Sequence, residues 1–221
     1  MTATLTYTDN IAVLNLGDDE NRFTPDFLDV VNGYLDTVLA DGAAGLLTTA
    51  TGKFYTNGLD LDWLMANGDR TAWYVGQVQG LLARVLTLQI PTAAAIVGHA
   101  FGAGAMLAMA HDFRVMRADR GYFCFPEADI RIPFTAGMAA LIQAKLTPQA
   151  AVASMTTGRR FGGADAQAYA IVDATAGEGA VEGAALDILR PLAGKDPGTL
   201  GAIKQTMFGA AAETLRAATH H

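Results

Sequence analysis

Residues 91–112 read PTAAAIVGHAFGAGAMLAMAHD, and this stretch decides the fold. Pro91 stops the helical pattern before it, and Thr92 to Val97 is an apolar run of strand length. Gly98, Gly102 and Gly104 punctuate the turn that follows. From Ala103 small apolar residues continue at helical length to His111-Asp112. Strand, glycine-bearing turn and helix together make an α/β unit. Residues 85–111 contain no Asp, Glu, Lys or Arg, which on length alone would suit a membrane span. A spanning helix wants about 20 continuous apolar residues. Gln89, Pro91, Gly98, His99, Gly102 and Gly104 interrupt this run, so it reads as a buried strand and a buried helix.

The same alternation extends outward. LTYTDNIAVLNL (5–16) predicts a hairpin turning at Asp9-Asn10. GDDENRF is a polar loop, and Thr24-Pro25 opens a helix with Thr as its cap. Phe27, Val30, Val31, Tyr34, Leu35 and Val38 follow at helical spacing. Residues 44–49 form a short strand, ATGKFYTNGLDLDWL a loop running into a helix, and 70–88 a further helix. Downstream, strands are expected at Phe113 to Met116 and Gly121 to Phe125. Helices are expected at 134–146, 148–156, 164–172, 181–192 and 197–216. No repeat of fixed length and no Pro/Ser-rich linker divides the chain. The expectation is one α/β core over 1–180 with a helical segment over 181–221, either part of the same domain or a trimerisation element.

Composition narrows the function. The 221 residues are 51% hydrophobic and 17% charged, enough apolar surface to offset the ordering entropy of a packed core. The net charge of −7 argues against nucleic acid as a partner, because phosphate contacts need clustered Lys and Arg. A lone Cys124 forms no internal disulfide and fits a reducing compartment, read here as the cytoplasm. The opening MTATLTYTDN lacks the basic and apolar regions of a signal peptide. His220-His221 fits the stump of a purification tag.

Several chemistries lack their parts. Ser154 is the only serine and lies in AVASM, without the Gly-x-Ser-x-Gly turn of a serine hydrolase. Cys124 sits between aromatics in YFCFP and reads as packing. His99 and His111 have no companion ligand at metal spacing, so no metal is expected. The Gly98–Gly104 pattern matches neither a dinucleotide fingerprint nor a phosphate loop.

Two features can carry chemistry. Asn57-Gly58-Leu59-Asp60-Leu61 and Gly98-His99-Ala100-Phe101-Gly102-Ala103-Gly104 each lead from a strand into a helix. A first helical turn offers unpaired N–H groups at the positive end of the dipole. Two such groups meeting at one point make an oxyanion hole; otherwise the glycines only permit tight packing. The second feature is Pro126-Glu127. A carboxylate between the apolar segments YFCFP and IPFTAGMAALI would be partly desolvated, which suits it to general base work. Taken alone, solvent or pairing with Arg120 or Arg131 is the better account, since most such acids are solvated.

In combination these motifs are far more specific. Gly52-Lys53-Phe54-Tyr55-Thr56-Asn57-Gly58-Leu59-Asp60-Leu61, then Gly98–Gly104, then Pro126-Glu127, resemble the crotonase superfamily, the enoyl-CoA hydratase/isomerase family. Thr157-Gly158-Arg159-Arg160-Phe161 and the Val172-Asp173 region resemble its downstream stretch, so the likeness runs from the first hairpin to about residue 175. HDFRVMR (111–117) and Asp119-Arg120-Gly121-Tyr122 look closest to the plant and peroxisomal-type Δ3,Δ2-enoyl-CoA isomerases.

The resemblance implies a crotonase-like spiral of repeated β-β-α units, assembled as a homotrimer or a dimer of trimers. It implies an acyl-CoA substrate in fatty acid β-oxidation, with no cofactor beyond the coenzyme A of the substrate. Its oxyanion donors would be the N–H groups of Leu59 and Ala103. Family hydratases carry two catalytic glutamates, and here the first of those positions is Met106. Only Glu127 is kept, which fits a single base shuttling one proton better than hydration. The implied activity is Δ3,Δ2-enoyl-CoA isomerisation. The alternatives are hydration or another acyl-CoA reaction, and a non-catalytic CoA-binding or assembly protein.

Lys53, Tyr55, Asn57, Gly58, Gly102 and Phe134 are the expected substrate-binding residues. Phe54, Trp63, Leu64 and Trp73 are further candidates for an acyl tunnel, against core packing. Lys53, Lys204 and Arg22 could each meet CoA phosphates or simply be solvated. Asp60 reads as a helix cap.

Overall fold

A computed structural model describes residues 3–217; His220-His221 lies outside them. Nine strands, β1 (Thr4–Thr8), β2 (Ile11–Asn15), β3 (Gly45–Thr49), β4 (Phe54–Thr56), β5 (Thr92–Ile96), β6 (His99–Phe101), β7 (Phe113–Arg117), β8 (Phe123–Cys124) and β9 (Ala174–Ala176), occur among these residues. The α-helices are α1 (Pro25–Ala40), α2 (Leu61–Ala66), α3 (Thr71–Leu86), α4 (Ala103–Ala110), α5 (Glu127–Ile130), α6 (Ala136–Lys145), α7 (Pro148–Met155), α8 (Gly163–Ala168), α9 (Val181–Leu189) and α10 (Pro197–Arg216).

Local chemistry sets the ends of these elements. Asp9 and Asn10 take φ of 52° and 61°, the left-handed region a tight hairpin turn demands and these two residue types tolerate. The Thr24 side chain caps α1 by accepting from Phe27 N–H at 3.1 Å, with Pro25 at the first helical position. Thr135, Thr147 and Asp196 cap α6, α7 and α10 in the same way.

The strands form two sheets. A six-stranded sheet runs β1-β2-β3-β5-β7-β9, and a three-stranded sheet runs β4-β6-β8. Every pairing between these strands is parallel except the β1–β2 hairpin. Each turn of the chain adds a strand to the large sheet, then one to the small sheet, then helix: β3-β4-α2-α3, β5-β6-α4, β7-β8-α5-α6. This is the β-β-α spiral that the motifs imply.

The central strands of the large sheet, β2, β3 and β5, are buried on both faces. Ala12, Leu14, Leu46, Ala94 and Ile96 join the main core. Ile11, Val13, Leu47, Ala93 and Ala95 face the other way, onto Val181, Ala185, Leu186 and Leu189 of α9. Strands covered on both sides are continuous apolar runs rather than alternating ones, as TAAAI shows. α10 lies along α3 and α6, so the helices beyond residue 181 cover the sheet and the spiral directly. No helix among the described residues is long and apolar enough to cross a membrane.

The sequence reading passed over β4, β6, α5 and β9, because three or four residues are too few to display a period. The helix expected over 164–172 ends at Ala168. Ala170 turns the chain with φ 54°, and β9 then pairs with β7 at the sheet edge.

Candidate active site

The small sheet brings two turns together. β4 delivers residues 57–60 and β6 delivers Gly102 and the start of α4. Gly58 has φ 78°. A Cβ there would lie 2.7 Å from Phe101 O and 2.9 Å from Ala103 N, so only glycine lets the turns touch. The Gly58 carbonyl accepts from Phe23 N–H at 2.8 Å. A trans peptide points its N–H opposite its C=O, which directs the Leu59 N–H away from Phe23. Gly102, with φ 51°, donates to Cys124 O at 3.0 Å, and its carbonyl accepts from Met106 N–H at 3.0 Å. The next N–H, that of Ala103, opens α4. Neither the Leu59 nor the Ala103 N–H meets an acceptor among the described residues.

Glu127 faces this pair. A Cβ on Gly102 would lie 3.6 Å from Glu127 Oε1. Glu127 opens the single turn of α5, where Ile130 N–H and Asp129 N–H both return to Pro126 O. Its Oε2 is buried and has no hydrogen-bond partner. Burial pushes the carboxyl up to about 7, against a weaker downward pull from its own backbone N–H. A cavity of about 390 Å³ holds Leu59, Gly102, Ala103 and Glu127 on its wall. Leu61, Met65, Ile130 and Ile132 form an exposed apolar rim around it. A second cavity of about 490 Å³ opens on the far side of Glu127, against Ile132, Pro133 and Phe134. A larger one, about 740 Å³, contains none of these donors and is walled by Asp19, Glu20, Asp26, Asp60 and Asp62. Such a wall repels an anionic ligand. The arrangement around Glu127 offers two amide donors and one desolvated base in an apolar recess, the parts needed to take a proton next to a carbonyl.

The remaining expected residues divide. Asn57 lies on the first cavity wall and Phe134 on the second. Gly58 is buried between the turns. Tyr55 departs from the expectation. It is fully buried, with its hydroxyl 2.7 Å from Thr48 Oγ1, because strand alternation turns it into the core. Lys53 is exposed beside Phe54, with Nζ 5.3 Å from that ring. Lys204 is not solvated: only 3% exposed, it donates to Asp112 at 2.6 Å and to Ile90 O at 2.8 Å. Arg22 pairs with Glu20, with Asp62 at 2.8 Å and with Asp60 at 3.5 Å. Trp63 and Trp73 pack on each other, with Arg70 over both rings. Asp60 caps α2 by accepting from Trp63 N–H at 3.2 Å. Met106 is fully buried in α4.

Cys124 and His111 are core residues. The Cys124 thiol donates to Gly158 O at 3.3 Å, and burial pushes it up to about 11. His111 sits between Leu107 O and Thr48 Oγ1, and burial pulls it down to about 4. Among the described residues no group of three or more His, Cys, Asp or Glu could hold a metal.

Sequence reading missed Asn21. With φ 48° and 3% exposure, its side-chain amide donates to Tyr55 O at 3.0 Å and Phe54 O at 3.3 Å, while its carbonyl accepts from Thr56 Oγ1 at 2.8 Å. It ties the polar loop to β4. An asparagine amid GDDENRF carries no signal of that role.

A family model described as enoyl-CoA hydratase/isomerase matches residues 6–221. Enoyl-CoA delta isomerase 3 of Arabidopsis thaliana is 38% identical over 176 residues, covering 75% of this chain and 74% of that protein. The peroxisomal enoyl-CoA delta isomerase 2 of the same plant is 36% identical over 169 residues, 72% and 70% of the two chains. In structure, a probable enoyl-CoA hydratase from Mycobacterium tuberculosis superposes with a TM-score of 0.92 at 24% identity, covering 99% of this chain and 93% of the other. The human mitochondrial delta3-delta2-enoyl-CoA isomerase superposes with a TM-score of 0.91 at 21% identity, covering 97% and 86%. These two superpositions speak for the fold alone.

Proposed function

The chain belongs to the enoyl-CoA hydratase/isomerase family, and from that premise we propose that it is a Δ3,Δ2-enoyl-CoA isomerase. The observation that carries this reading is the single carboxylate of Glu127, its Oε2 buried and unpartnered, beside two amides without an acceptor, with the fully buried Met106 where a second acid would stand. The thioester carbonyl of a 3-enoyl-CoA lies against Leu59 N–H and Ala103 N–H. Glu127 takes a proton from C2. The C2–H electrons form the C1–C2 double bond of a dienolate, the C1–O π electrons move onto the carbonyl oxygen as negative charge, and the C3–C4 double bond stays in place. The carbonyl then re-forms, the C1–C2 π electrons move to C2–C3, and the C3–C4 π electrons take the proton at C4 from the same carboxyl, giving the 2-enoyl thioester. The reaction is redox-neutral and one carboxyl returns the proton it removed, so it calls for no metal and no electron carrier. Hydration needs water activated as well as a proton delivered to carbon, two jobs that one carboxylate fills poorly.

Asn57, Gly102 and Phe134 line the acyl-CoA site in this reading. Of the three cations considered for the CoA phosphates, Lys53 alone keeps its ammonium in solvent and outside an ion pair, so Lys53 takes that role. The setting is fatty acid β-oxidation, the assembly a homotrimer or dimer of trimers, and the compartment a reducing one such as the cytoplasm. The word peroxisomal in the name of a plant relative belongs to that relative. Light scattering on the purified chain reads the assembly, and a mass of a single chain would remove the trimer.

The activity is tested by supplying 3-enoyl-CoA and 2-enoyl-CoA side by side to the wild type and to Glu127→Gln. Bond migration in the wild type, reduced about 10²–10⁴-fold in the variant, is expected. Water addition without migration overturns the isomerase assignment. Equal turnover by the variant removes Glu127 as the base.

A further inference from the structure

Four consecutive amides line the turn from β4 into α2, and three of them are committed. Asn57 N–H donates to Glu20 O at 2.9 Å. Gly58 N–H donates to Thr56 Oγ1 at 3.0 Å. Asp60 N–H donates to the Tyr74 hydroxyl at 2.8 Å. Only Leu59 N–H, in their midst, has no acceptor among the described residues. A donor that must meet a developing oxyanion needs a set direction before the reaction starts. The Gly58–Leu59 peptide plane is held through the Gly58 carbonyl. The Leu59–Asp60 plane is held through Asp60 N–H, by a side chain that arrives from α3. The two planes share the Leu59 Cα, so loss of the second hold leaves the plane that carries Leu59 N–H fixed through the Gly58 carbonyl alone.

Tyr74 is built for such a task. It is fully buried in the first turn of α3, and the Asp60 N–H is its hydrogen-bond partner. Burial pushes its hydroxyl up to about 12, so it stays neutral over the working pH range. The Trp63 ring lies on the Tyr74 ring with centroids 4.9 Å apart. Trp63 N–H in turn donates to Asp60 Oδ1 at 3.2 Å. Asp60, Trp63 and Tyr74 therefore close a ring of three contacts that begins at the residue following Leu59.

The geometry points to Tyr74 as a positioning residue for the isomerisation: by holding Asp60 N–H, its hydroxyl aims the Leu59 N–H at the thioester oxygen. This assignment rests on Leu59 serving as an oxyanion donor, as proposed above. No atom of Tyr74 needs to touch substrate.

The test is Tyr74→Phe, which removes one oxygen and keeps the ring. The charge on the carbonyl oxygen develops in the transition state. kcat is therefore expected to fall about 10–100-fold, less than loss of the whole donor, with KM within about twofold. A purely structural role would not single out the carbonyl, so a spectroscopic readout is added. Hexanoyl-CoA labelled with ¹³C at the thioester carbonyl has no double bond to move. Bound to the wild type, its C=O stretch is expected to shift to lower wavenumber, and in Tyr74→Phe by less than half as much. Should the variant fail to fold, 3,5-difluorotyrosine placed at position 74 keeps ring and hydroxyl but weakens the oxygen as acceptor. It is expected to lower kcat about threefold with a partial loss of the shift. A folded variant of either kind with wild-type kcat and wild-type band position overturns the role of Tyr74, even if its melting temperature drops. If the wild type itself shows no carbonyl shift, the oxyanion site falls and this assignment falls with it.

Discussion

Glu127→Gln should make the protein more stable at pH 8 while disabling it. Burial raises the Glu127 carboxyl from 4.5 to about 7, and its Oε2 has no partner. In the folded state the group therefore holds its proton to higher pH than in the unfolded chain. Its contribution to stability is intact below pH 4.5 and is lost as pH rises through 7. The full shift corresponds to about 3 kcal/mol at 1.36 kcal/mol per unit. Part of the side chain meets solvent, so about 2 kcal/mol is the working figure. For a chain of this size that is about 4–8 °C in melting temperature. Gln is neutral at every pH and keeps the shape. Melting curves of both proteins at pH 4, 6 and 8 should show almost no offset at pH 4, more than half of the variant's advantage already at pH 6, and the full advantage at pH 8. Equal melting at pH 8, or one constant offset at all three values, would show that the carboxylate is solvated and would remove the physical basis for its role as a base. The same desolvation that destabilises the fold would give the proposed base its strength near neutrality.

Three further outcomes follow. Since the free enzyme needs Glu127 ionised, kcat/KM should fall tenfold per unit below about pH 7 and level off above it; a profile flat from pH 5.5 to 8 contradicts the raised carboxyl. Gly58→Ala puts a Cβ 2.7 Å from Phe101 O and 2.9 Å from Ala103 N at a positive φ, so the turns must separate and turnover should drop about 10²-fold or more. Wild-type turnover in a folded Gly58→Ala protein would mean the two amides need not converge. Lys204→Ala removes one member of a buried ion pair and should lower stability by about 3 kcal/mol in denaturant titration, with KM for acyl-CoA unchanged; a raised KM would return Lys204 to the substrate site.

Much of the site was legible because its parts are backbone groups and one acid, set at fixed positions in short motifs. Gly58, Gly102 and Glu127 drew attention by spacing and apolar surroundings, but only their combination, in its resemblance to the crotonase superfamily, put them forward as one site. The side chains around them could not be sorted in the same way. Tyr55 and Phe54 are adjacent aromatics, and strand alternation sends only Tyr55 onto Thr48 in the core. Lys204 lies in a helix whose sequence reads as solvated, yet α10 lies on α3 and α6 and carries it to an aspartate 92 residues away. The rim residues Leu61, Met65, Ile130 and Ile132 gave no warning, because exposure of an apolar side chain is a property of what surrounds it.

The chain alone determined the alternation of strand and helix, the hairpin at Asp9-Asn10, the caps, and the two glycine turns, since each depends on residues within a few positions of one another. Only the tertiary structure decided that the turns meet, that Glu127 stands beside them with one carboxyl oxygen buried, and that Asn21, Phe23 and Tyr74 hold the first turn from outside. Those relations join segments tens of residues apart. Desolvation and direction are set by neighbours in space, and no local pattern encodes them.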